Sequence, residues 1–319
     1  MKSYALGIDL GGTDTKFGLV DNQGHVLRCH SIPTQQYPQI EEYCDTLCAE
    51  MKQLVEGYQL QMTDIIGIGC GAPCANFYTG CIEQASNLPW KGIVPLAKLI
   101  RERMGLKCTI TNDANAAAQG EMIFGSARGM KNFIVITLGT GVGSGIVIDG
   151  KLLYGHDGFA GELGHCKIDY SGNGRLCGCG QRGCLETYTS ATGVARTAKE
   201  IILSTNQPTW LRDLPDIDSI TSKDVFDAAE KGDLVAKLIF DYTGHLLGTK
   251  LADYVHAFSP ETIILFGGLT KAGHWLMNPI RQAMEQNLLP LWKGKIPVSI
   301  STLKDSDAAI LGAASLVIE

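Results

Sequence analysis

The chain has 319 residues, of which 45% are hydrophobic and 19% charged. A chain of this length and composition can bury a large core, and two domains are expected rather than one. Its formal net charge of −6 argues against the basic surface that nucleic-acid binding requires. No apolar run approaches the roughly 20 residues of a transmembrane helix, so no membrane anchor is expected.

The first segment of the chain has the pattern of a β-hairpin, a further strand and a helix. The predicted elements are a strand at Tyr4–Asp9, a turn at Gly11-Gly12, a strand ending at Val20-Asp21, a strand at Val26–His30 and a helix from Ile40. The apolar residues of that helix recur at helical spacing and include Cys44 and Cys48, which are therefore expected in the core.

The hairpin occurs a second time in the chain. Leu10-Gly11-Gly12 through Val20-Asp21 aligns, at a constant offset of 128, with Leu138-Gly139-Thr140 through Ile148-Asp149. Glycine has no β-carbon, so backbone N–H groups at such turns can approach phosphate oxygens closely. One such turn indicates little more than a tight hairpin, but two suit the opposite sides of one polyphosphate. The turn glycines expected to bind it are Gly11, Gly12, Gly139 and Gly141.

The polar side chains of the two turns suggest individual roles. Lys16 is expected to meet a phosphate as a cation, and Thr13 and Thr140 are expected to donate hydrogen bonds from their hydroxyls. Asp9 is expected to hold Mg²⁺ through water. Asp14 would repel phosphate and is expected in solvent.

The remaining elements alternate between strands and helices, which indicates an α/β class. Further strands are predicted at Ile65–Cys70, Thr109–Thr111, Phe133–Leu138, Thr262–Phe266 and Pro297–Ser301. Further helices are predicted near Val94–Met104, Asn115–Phe124, Leu234–Ala257, Lys271–Gln286 and Asp307–Val317. The segment Ser204–Thr221 has the poorest pattern and is expected to be an irregular connection.

Most of the eleven cysteines have a simple explanation. The count is odd, the chain is large and no leader is expected before the first strand, so a reducing cytoplasm is favoured over disulfides. Cys29, Cys70 and Cys108 lie in or beside strand-like runs and are expected in the core.

Three of the cysteines form a cluster of metal-ligand type. Cys177, Cys179 and Cys184 lie in a glycine-rich loop, and His165 precedes the first of them by twelve residues. Three thiolates and one imidazole suit a tetrahedral zinc ion with no open position, which predicts a structural rather than a catalytic metal. Spacing alone leaves His156 and Cys166 as alternatives to His165 as the fourth ligand.

The stretch from Gly161 to Glu186 resembles the signature of the ROK family of sugar kinases and sugar-sensing regulators. That signature is Gly-Glu-x-Gly-His followed by Cys-x-Cys-Gly-x-x-Gly-Cys-x-Glu, and the likeness continues through nearly the whole chain. It implies an actin-like (ribonuclease H-like) two-domain ATPase fold with an ATP-binding cleft between the domains, a zinc-stabilised loop and a homodimer. The implied division is a small domain at 1–118, completed by a C-terminal helix at 305–319, and a large domain at 119–304.

The resemblance also implies the roles of individual residues. The family places its catalytic aspartate at Asp113, where a carboxylate can accept the proton of the sugar hydroxyl; for Asn112-Asp113 the alternative is an ordinary helix cap. Residues expected to contact the sugar are Gly71, Asn87, Asn112, Asp113, Glu162, His165 and Glu186. The Gly267-Gly268 turn is expected to pack against adenosine, although a plain strand-to-helix turn is the alternative. Trp90 is expected in the core rather than in a cavity wall.

The function implied is ATP-dependent phosphorylation of a hexose at its 6-hydroxyl, with glucose as the first expectation and ATP, Mg²⁺ and structural zinc as cofactors. Alternatives are a kinase for allose, mannose, fructose or N-acetylmannosamine, and a non-catalytic sugar sensor. A regulator needs a DNA-reading segment before the core. The first strand is predicted to begin by Tyr4, which favours the enzyme. Cys74 stands where the family commonly has glycine, so the identity of the hexose stays open, as does the choice among ATP, other nucleotides and polyphosphate as donor.

Overall fold

We analysed a computed structural model of the chain, which describes residues 3–304 and 307–318. Within them the strands are β1 (Tyr4–Leu10), β2 (Asp14–Asp21), β3 (Val26–Pro33), β4 (Ile65–Gly71), β5 (Ala75–Asn76), β6 (Cys81–Glu83), β7 (Ile93–Val94), β8 (Cys108–Thr111), β9 (Phe133–Leu138), β10 (Val142–Ile148), β11 (Lys151–Leu152), β12 (Thr262–Phe266) and β13 (Val298–Ile300). The helices are α1 (Ile40–Glu56), α2 (Leu96–Met104), α3 (Asp113–Ile123), α4 (Glu186–Thr189), α5 (Ala191–Ser204), α6 (Ser222–Glu230), α7 (Leu234–Phe258), α8 (His274–Asn287) and α9 (Ala308–Ala314).

The described residues fall into two compact units. The first unit takes its residues from Met1–Lys131, Gly145–Gly161 and Ser301–Glu319, and the second from Asn132–Ser144 and Glu162–Ile300. The units therefore group 119–131, 145–161 and 301–304 with the first part of the chain, whereas the sequence-based division placed them in the large domain. A boundary at 118 would cut through α3, which is continuous from Asp113 to Ile123.

The sheet of the first unit has the strand order β3-β2-β1-β4-β8. β1, β2 and β3 pair antiparallel, and β4 lies parallel to both β1 and β8. The buried face of α1 packs on this sheet through residues at helical spacing, including Tyr43, Leu47 and Met51. Cys44 and Cys48 belong to the same core, as predicted.

Helix α9 packs against β1 and β4 where glycine leaves room for it. A β-carbon on Gly7 would lie 2.1 Å from the carbonyl oxygen of Ile310, and one on Gly69 would lie 1.8 Å from that of Ala313. The backbones of helix and sheet therefore approach each other too closely for any other residue at these two positions. The ends of the predicted C-terminal helix, at 305–306 and 319, lie outside the described residues.

The second sheet repeats the strand order of the first. Its order is β11-β10-β9-β12-β13, with β12 parallel to both β9 and β13 and β10 antiparallel to β11. The duplication predicted from the glycine turns thus extends to the topology. Beside this sheet, α7 and α8 approach closely at Gly244 and Gly248, which face Pro279 and Ile280.

Several sequence predictions need correction. The helix expected at Lys271–Gln286 is two elements, a 3₁₀ helix at Gly268–Ala272 and α8, because Gly273 has a φ of +57° that interrupts the helix. Cys29 is exposed rather than in the core, since it lies on the edge strand β3 with its side chain in solvent. The connection at Ser204–Thr221 contains two short 3₁₀ helices, Trp210–Asp213 and Ile217–Ser219. Among the described helices, none has both the length and the apolar character needed to cross a bilayer.

Candidate active site

The Gly11-Gly12 turn of the first unit is held by Thr34, the residue that follows β3. The backbone N–H of Gly11 donates to the carbonyl of Asp14 at 3.0 Å, while the hydroxyl of Thr34 donates to the carbonyl of Gly11 at 2.8 Å. A β-carbon on Gly11 would lie 2.8 Å from the carbonyl oxygen of Asp14, so the turn requires glycine. Thr13 and Lys16 are exposed beside it, where a ligand can reach them.

Asp9 lies at the carboxyl end of β1, next to this turn. It is opposite Lys16 on β2 and opposite Gly71 on β4. Burial and the charge of Asp113 raise the pKa of Asp9, Lys16 lowers it, and the net result is a pKa of about 6. Two carboxylates therefore lie near one cation, an arrangement that favours binding of an additional cation such as Mg²⁺.

Asp113 is the first residue of α3, and Asn112 is the helix cap. The Asn112 side chain accepts a hydrogen bond from the N–H of Ala114 at 2.8 Å, so the cap anticipated from the sequence falls on Asn112. The surrounding protein raises the pKa of Asp113 by desolvating its carboxylate, although the residue keeps an exposed surface. A β-carbon on Gly71 would lie 3.1 Å from the Ala116 Cβ and 3.5 Å from the Asp113 Cα, so β4 ends close to the first turn of α3.

Asn87 lies against the first glycine turn. A β-carbon on Gly12 would lie 3.2 Å from the Asn87 Nδ2 and 3.1 Å from its carbonyl oxygen. Gln35, which the sequence analysis missed, joins the two loops because its Nε2 donates to the carbonyls of both Gly12 and Asn87. No motif or periodicity marks Gln35. Trp90 is buried and donates from Nε1 to the carbonyl of Tyr37 at 3.0 Å, which confirms its core role.

The segment after Gly71 departs from a regular strand at Cys74. Cys74 has a φ of +52°, in the left-handed region that glycine occupies without strain. Beyond it, Asn76 is buried and donates from Nδ2 to the carbonyl of Asp157 at 2.7 Å. Phe77 stacks on Tyr154 with ring centroids 4.1 Å apart. The unusual sequence after Cys74 therefore fastens this loop to the 154–158 segment within the first unit.

In the second unit, the side chain of Glu186 packs against the glycine turn at 139–141. The Glu186 Oε2 accepts the N–H of Val142 at 2.9 Å, and a β-carbon on Gly141 would lie 2.3 Å from that same oxygen. At the other side of the turn, Thr192 donates from its hydroxyl to the carbonyl of Thr140 at 2.7 Å. Gly139 and Thr140 are left facing outward.

A cavity of about 470 Å³ opens beside this turn, within the range of small-molecule sites. It lies where β9 and β12, which are parallel neighbours, both end in glycine turns. Gly267 has a φ of +109°, and a β-carbon there would lie 2.7 Å from the carbonyl of Leu138, so the turns touch through backbone. The lining residues are Gly139, Thr140, Ala191, Ser222, Lys223, Phe226, Asp227, Gly268, Leu269, Lys271 and Ala272.

Helix α6 supplies one wall of this cavity, and the sequence analysis did not predict that helix. Its start carries a capping box, in which the Thr221 hydroxyl accepts the N–H of Asp224 and the Asp224 carboxylate accepts the N–H of Thr221. That Thr-x-x-Asp pattern was the available signal. Phe226 presents an aromatic side chain to the cavity, and Lys223 pairs with Asp227 at 2.6 Å beside it.

The predicted metal ligands come together in the second unit. The ligand atoms of His165, Cys177, Cys179 and Cys184 all lie within 4.8 Å of one another. The cluster contains His165 rather than His156 or Cys166, which supports His165 as the fourth ligand.

Two of the separations between these ligand atoms match those expected around a single tetrahedral zinc ion. Bonds of about 2.3 Å to sulfur and about 2.05 Å to nitrogen, at tetrahedral angles, place two sulfurs roughly 3.8 Å apart and sulfur and nitrogen roughly 3.6 Å apart. The observed separations are 3.7 Å between the sulfurs of Cys179 and Cys184, and 3.6 Å between the Cys177 sulfur and the His165 Nδ1. The donor set and its geometry therefore both suit zinc.

His165 and the two glutamates flank the metal site. The His165 Nδ1 faces the sulfurs, while its Nε2 lies 3.8 Å from a carboxylate oxygen of Glu162. A metal bound at Nδ1 leaves the Nε2 proton free to donate, so the imidazole has a defined tautomer and direction. The Cys177 thiol lies 3.5 Å from the Glu186 Oε1.

Comparisons with known proteins agree with this geometry. A model of the ROK family matches residues 5–319. The chain is 38% identical to a glucokinase of Halalkalibacterium halodurans over 98% of this chain and 94% of the relative. Its structure is similar to that of a ROK family glucokinase from Streptomyces griseus in complex with glucose and AMPPNP (TM-score 0.80, 34% identity, 98% of each chain covered). It is also similar to a ROK family transcriptional regulator, a homolog of the E. coli MLC protein, with a TM-score of 0.87 and 27% identity over 100% of this chain and 78% of that one.

Proposed function

The chain belongs to the ROK family, and from that premise we propose that it transfers the γ-phosphoryl group of ATP to the 6-hydroxyl of a hexose, with glucose as its substrate. The α/β, actin-like (ribonuclease H-like) ATPase fold predicted from the sequence is confirmed by the likeness to the glucokinase structure. That structure holds glucose and a non-hydrolysable ATP analogue, which supports both substrates. The observation that carries the proposal is the placement of Asp113 beside Asp9 and the first glycine turn.

On the acceptor side, Asp113 takes the proton of the sugar 6-hydroxyl as that oxygen attacks the γ-phosphorus. A carboxylate whose pKa is raised by desolvation is a better base than one in water, because its basicity moves toward the working pH. The Asn112 cap fixes the backbone from which Asp113 projects. Positioning of the hydroxyl by such neighbours supplies much of the rate in phosphoryl transfer, whose transition state requires little covalent help.

On the donor side, the cavity beside Gly139 and Gly268 receives the adenosine. Phe226 offers an aromatic surface to the base, while Thr140 and the exposed amides of the turn donate to phosphate oxygens. Magnesium enters with ATP as part of the substrate and neutralises charge on the transferred group. Asp9 holds its hydration shell, and Lys16 provides a further positive charge.

Zinc is the proposed structural metal of His165, Cys177, Cys179 and Cys184. It closes a loop with little apolar content and orients His165, whose Nε2 donates to a sugar hydroxyl. Glu162 and Glu186 accept from further hydroxyls. On the first unit, Asn87 and Asn112 are the proposed amide partners, and Gly71 gives the sugar access to the strand end.

Glucose is favoured among hexoses because the relative and the solved complex named above are a glucokinase and a glucose-bound glucokinase. Two features of this chain are the most relevant to the choice between glucose and the alternatives allose, mannose, fructose and N-acetylmannosamine. They are the strained backbone of Cys74 and the aromatic contacts that follow it. A sugar-sensing regulator is the second candidate, since a regulator of this family has the same fold. Asp113 and the intact phosphate turns favour catalysis.

An ADP-release assay across glucose, mannose, allose, fructose, N-acetylglucosamine and N-acetylmannosamine tests the proposal. The same panel is run with ATP, GTP and polyphosphate as donors, following sugar phosphate for the last. Turnover with glucose and ATP exceeding the other pairs is expected. Calorimetric binding of glucose without turnover would replace the kinase by the sensor, and turnover confined to another hexose would correct the substrate alone.

We also propose a cytoplasmic homodimer that feeds glucose 6-phosphate into glycolysis. Each of the eleven cysteines lies outside any disulfide, which suits a reducing compartment. An apolar stripe on α7, formed by Leu234, Leu238 and Tyr242 at helical spacing, is 76%, 52% and 41% exposed, and a second copy of the chain would cover it. Light scattering of the wild type and of Leu238→Glu tests this: a wild-type monomer, or an unchanged dimer in the variant, would contradict the assignment of this stripe.

A further inference from the structure

We propose that Glu186 and the start of α5 couple the zinc loop to the nucleotide-binding turn, so that zinc occupancy sets the affinity for nucleotide. The inference rests on the proposed function only in taking the cavity beside Gly139 and Gly268 as the nucleotide site. It gives the metal a role on the donor side, in addition to its role in orienting the sugar contacts. Every contact that carries it lies within the second unit.

Glu186 is the direct link between the two sites. One of its carboxylate oxygens lies 3.5 Å from the sulfur of the zinc ligand Cys177, and the other accepts the N–H of Val142 at 2.9 Å. Val142 is the residue immediately after the turn, and Gly141 packs directly over the same oxygen. A single rigid carboxylate thus contacts a zinc ligand on one side and the turn on the other.

The other flank of the metal site meets the same strand. A β-carbon on Gly164, the neighbour of His165, would lie 2.0 Å from the carbonyl oxygen of Val142. The N–H of Leu163 donates to the buried hydroxyl of Ser144 at 3.2 Å, two residues further along β10. Both flanks of the zinc loop therefore press on the first residues of β10, so movement of the loop displaces the turn.

Helix α5, which begins at Ala191 after the short helix α4 that starts with Glu186, forms a second link. The N–H of Ala191 donates to the carbonyl of Gly139 at 2.9 Å, and the hydroxyl of Thr192 donates to the carbonyl of Thr140 at 2.7 Å. Ala191 itself lines the cavity. Further along the helix, Glu200 pairs with Arg175, a buried residue of the zinc loop. The same helix is thus tied to the metal loop and to both carbonyls of the turn.

These contacts predict reciprocal coupling. If zinc orders the turn for nucleotide, nucleotide must raise the affinity for zinc by the same factor, because binding free energies around a closed cycle sum to zero. Coupling between sites in one protein is typically about 5-fold to 150-fold, and we take the lower end of that range as the minimum expected here. We expect the dissociation constant for AMPPNP to rise at least about 5-fold after zinc removal.

The test measures AMPPNP binding by calorimetry, without sugar, on zinc-loaded and chelator-treated full-length protein, with circular dichroism to follow folding. Zinc affinity is measured in parallel by chelator competition with and without AMPPNP. In zinc-loaded protein, Thr192→Val removes one attachment and should weaken AMPPNP binding several-fold. Thr205→Val is the matched control, since that hydroxyl donates to the Ile201 carbonyl at the far end of α5. Glu186→Ala should abolish most of the coupling.

The outcomes separate this inference from the proposed function. Equal AMPPNP affinity with and without zinc, or zinc affinity that nucleotide does not change, would overturn the coupling alone. Failure of AMPPNP to bind the zinc-loaded protein would overturn the kinase assignment and this inference together. If chelation unfolds the protein, the comparison of Thr192→Val with Thr205→Val decides, and equal affinities in the two variants would refute the link.

Discussion

Replacing Asp9 with asparagine should stabilise the protein while destroying its activity. Burial and the neighbouring Asp113 raise the pKa of Asp9 from 3.8 to about 6, so the folded state holds a carboxylate that would ionise more readily in the unfolded chain. Such a group destabilises the native state at neutral pH and does so less as pH falls. A buried charge that lowers the stability of the folded protein is expected at a site where that charge binds a ligand.

The magnitude follows from the pKa change. A rise from 3.8 to about 6 corresponds to a destabilisation of about 3 kcal/mol above pH 7, since each pKa unit is worth about 1.4 kcal/mol. The same linkage leaves about 1.5 kcal/mol near pH 5 and about 0.5 kcal/mol near pH 4, where the unfolded chain also becomes protonated. These values already include the attraction between Asp9 and Lys16, which lowers the pKa of Asp9.

The assay is urea unfolding of wild type and Asp9→Asn between pH 5 and 8, without Mg²⁺ or nucleotide. The free energy of unfolding of the variant should exceed that of wild type at pH 8, and the difference should shrink toward pH 5. Asp14→Asn, at an exposed position on the neighbouring strand, is the control and should change stability by no more than about 0.5 kcal/mol at any pH. In the wild type, kcat/KM should fall as pH drops through about 6, because Asp9 then becomes protonated. A variant that is less stable than wild type at pH 8, or one that keeps wild-type activity, would refute the reasoning.

Three further predictions concern single residues. Asp113→Asn should lower turnover by a factor on the order of 10² to 10⁴ while calorimetry finds glucose affinity roughly intact, and near wild-type turnover would show that another group is the base. Protein purified without chelator should contain about one zinc per chain by elemental analysis, and Cys179→Ser should lose it together with sugar affinity; full activity in zinc-free protein would contradict the structural role. Cys74→Gly should relieve about 1 kcal/mol of left-handed backbone strain, which the greater entropy of glycine in the unfolded chain partly or fully offsets. Urea unfolding should therefore show a stabilisation between zero and about 1 kcal/mol, and clear destabilisation would contradict this prediction.

The backbone-determined parts of the site could be predicted from the sequence. The two glycine turns were found because the same hairpin pattern occurs twice in the sequence. At Gly11 the requirement for glycine is also local, since a β-carbon there would meet the carbonyl oxygen of Asp14, whereas at Gly141 it comes from the distant Glu186. The metal cluster was found because three of its ligands lie within eight positions. The strand ahead of Asp113 ends one residue before the helix cap, so the junction followed from periodicity, whereas the catalytic role of Asp113 came from the family resemblance.

The parts set by distant segments could not be predicted in this way. Phe226 and Lys223 reach the nucleotide cavity from a helix more than eighty residues beyond the turn that they face. Gln35 joins Gly12 to Asn87 through a side chain that carries no local signature. Such contacts depend on where the fold brings segments together, and no spacing in the sequence encodes that.

Glu186 shows how the two kinds of information meet. The sequence marks it as a carboxylate next to a metal ligand and so favours a role toward the sugar, which is what proximity in the chain permits one to infer. The fold adds the N–H of Val142, reached because Gly141 has no β-carbon to occupy the space that the carboxylate fills. One Glu186 oxygen accepts the N–H of Val142 and the other lies 3.5 Å from the sulfur of Cys177, so any sugar hydroxyl that Glu186 binds meets an oxygen that also faces the turn or the metal site. The bound sugar, zinc and nucleotide would then each influence the orientation of the Glu186 side chain. Glu186→Gln should therefore change the affinities for all three, whereas substitution of a residue that only bound sugar would change the affinity for sugar alone.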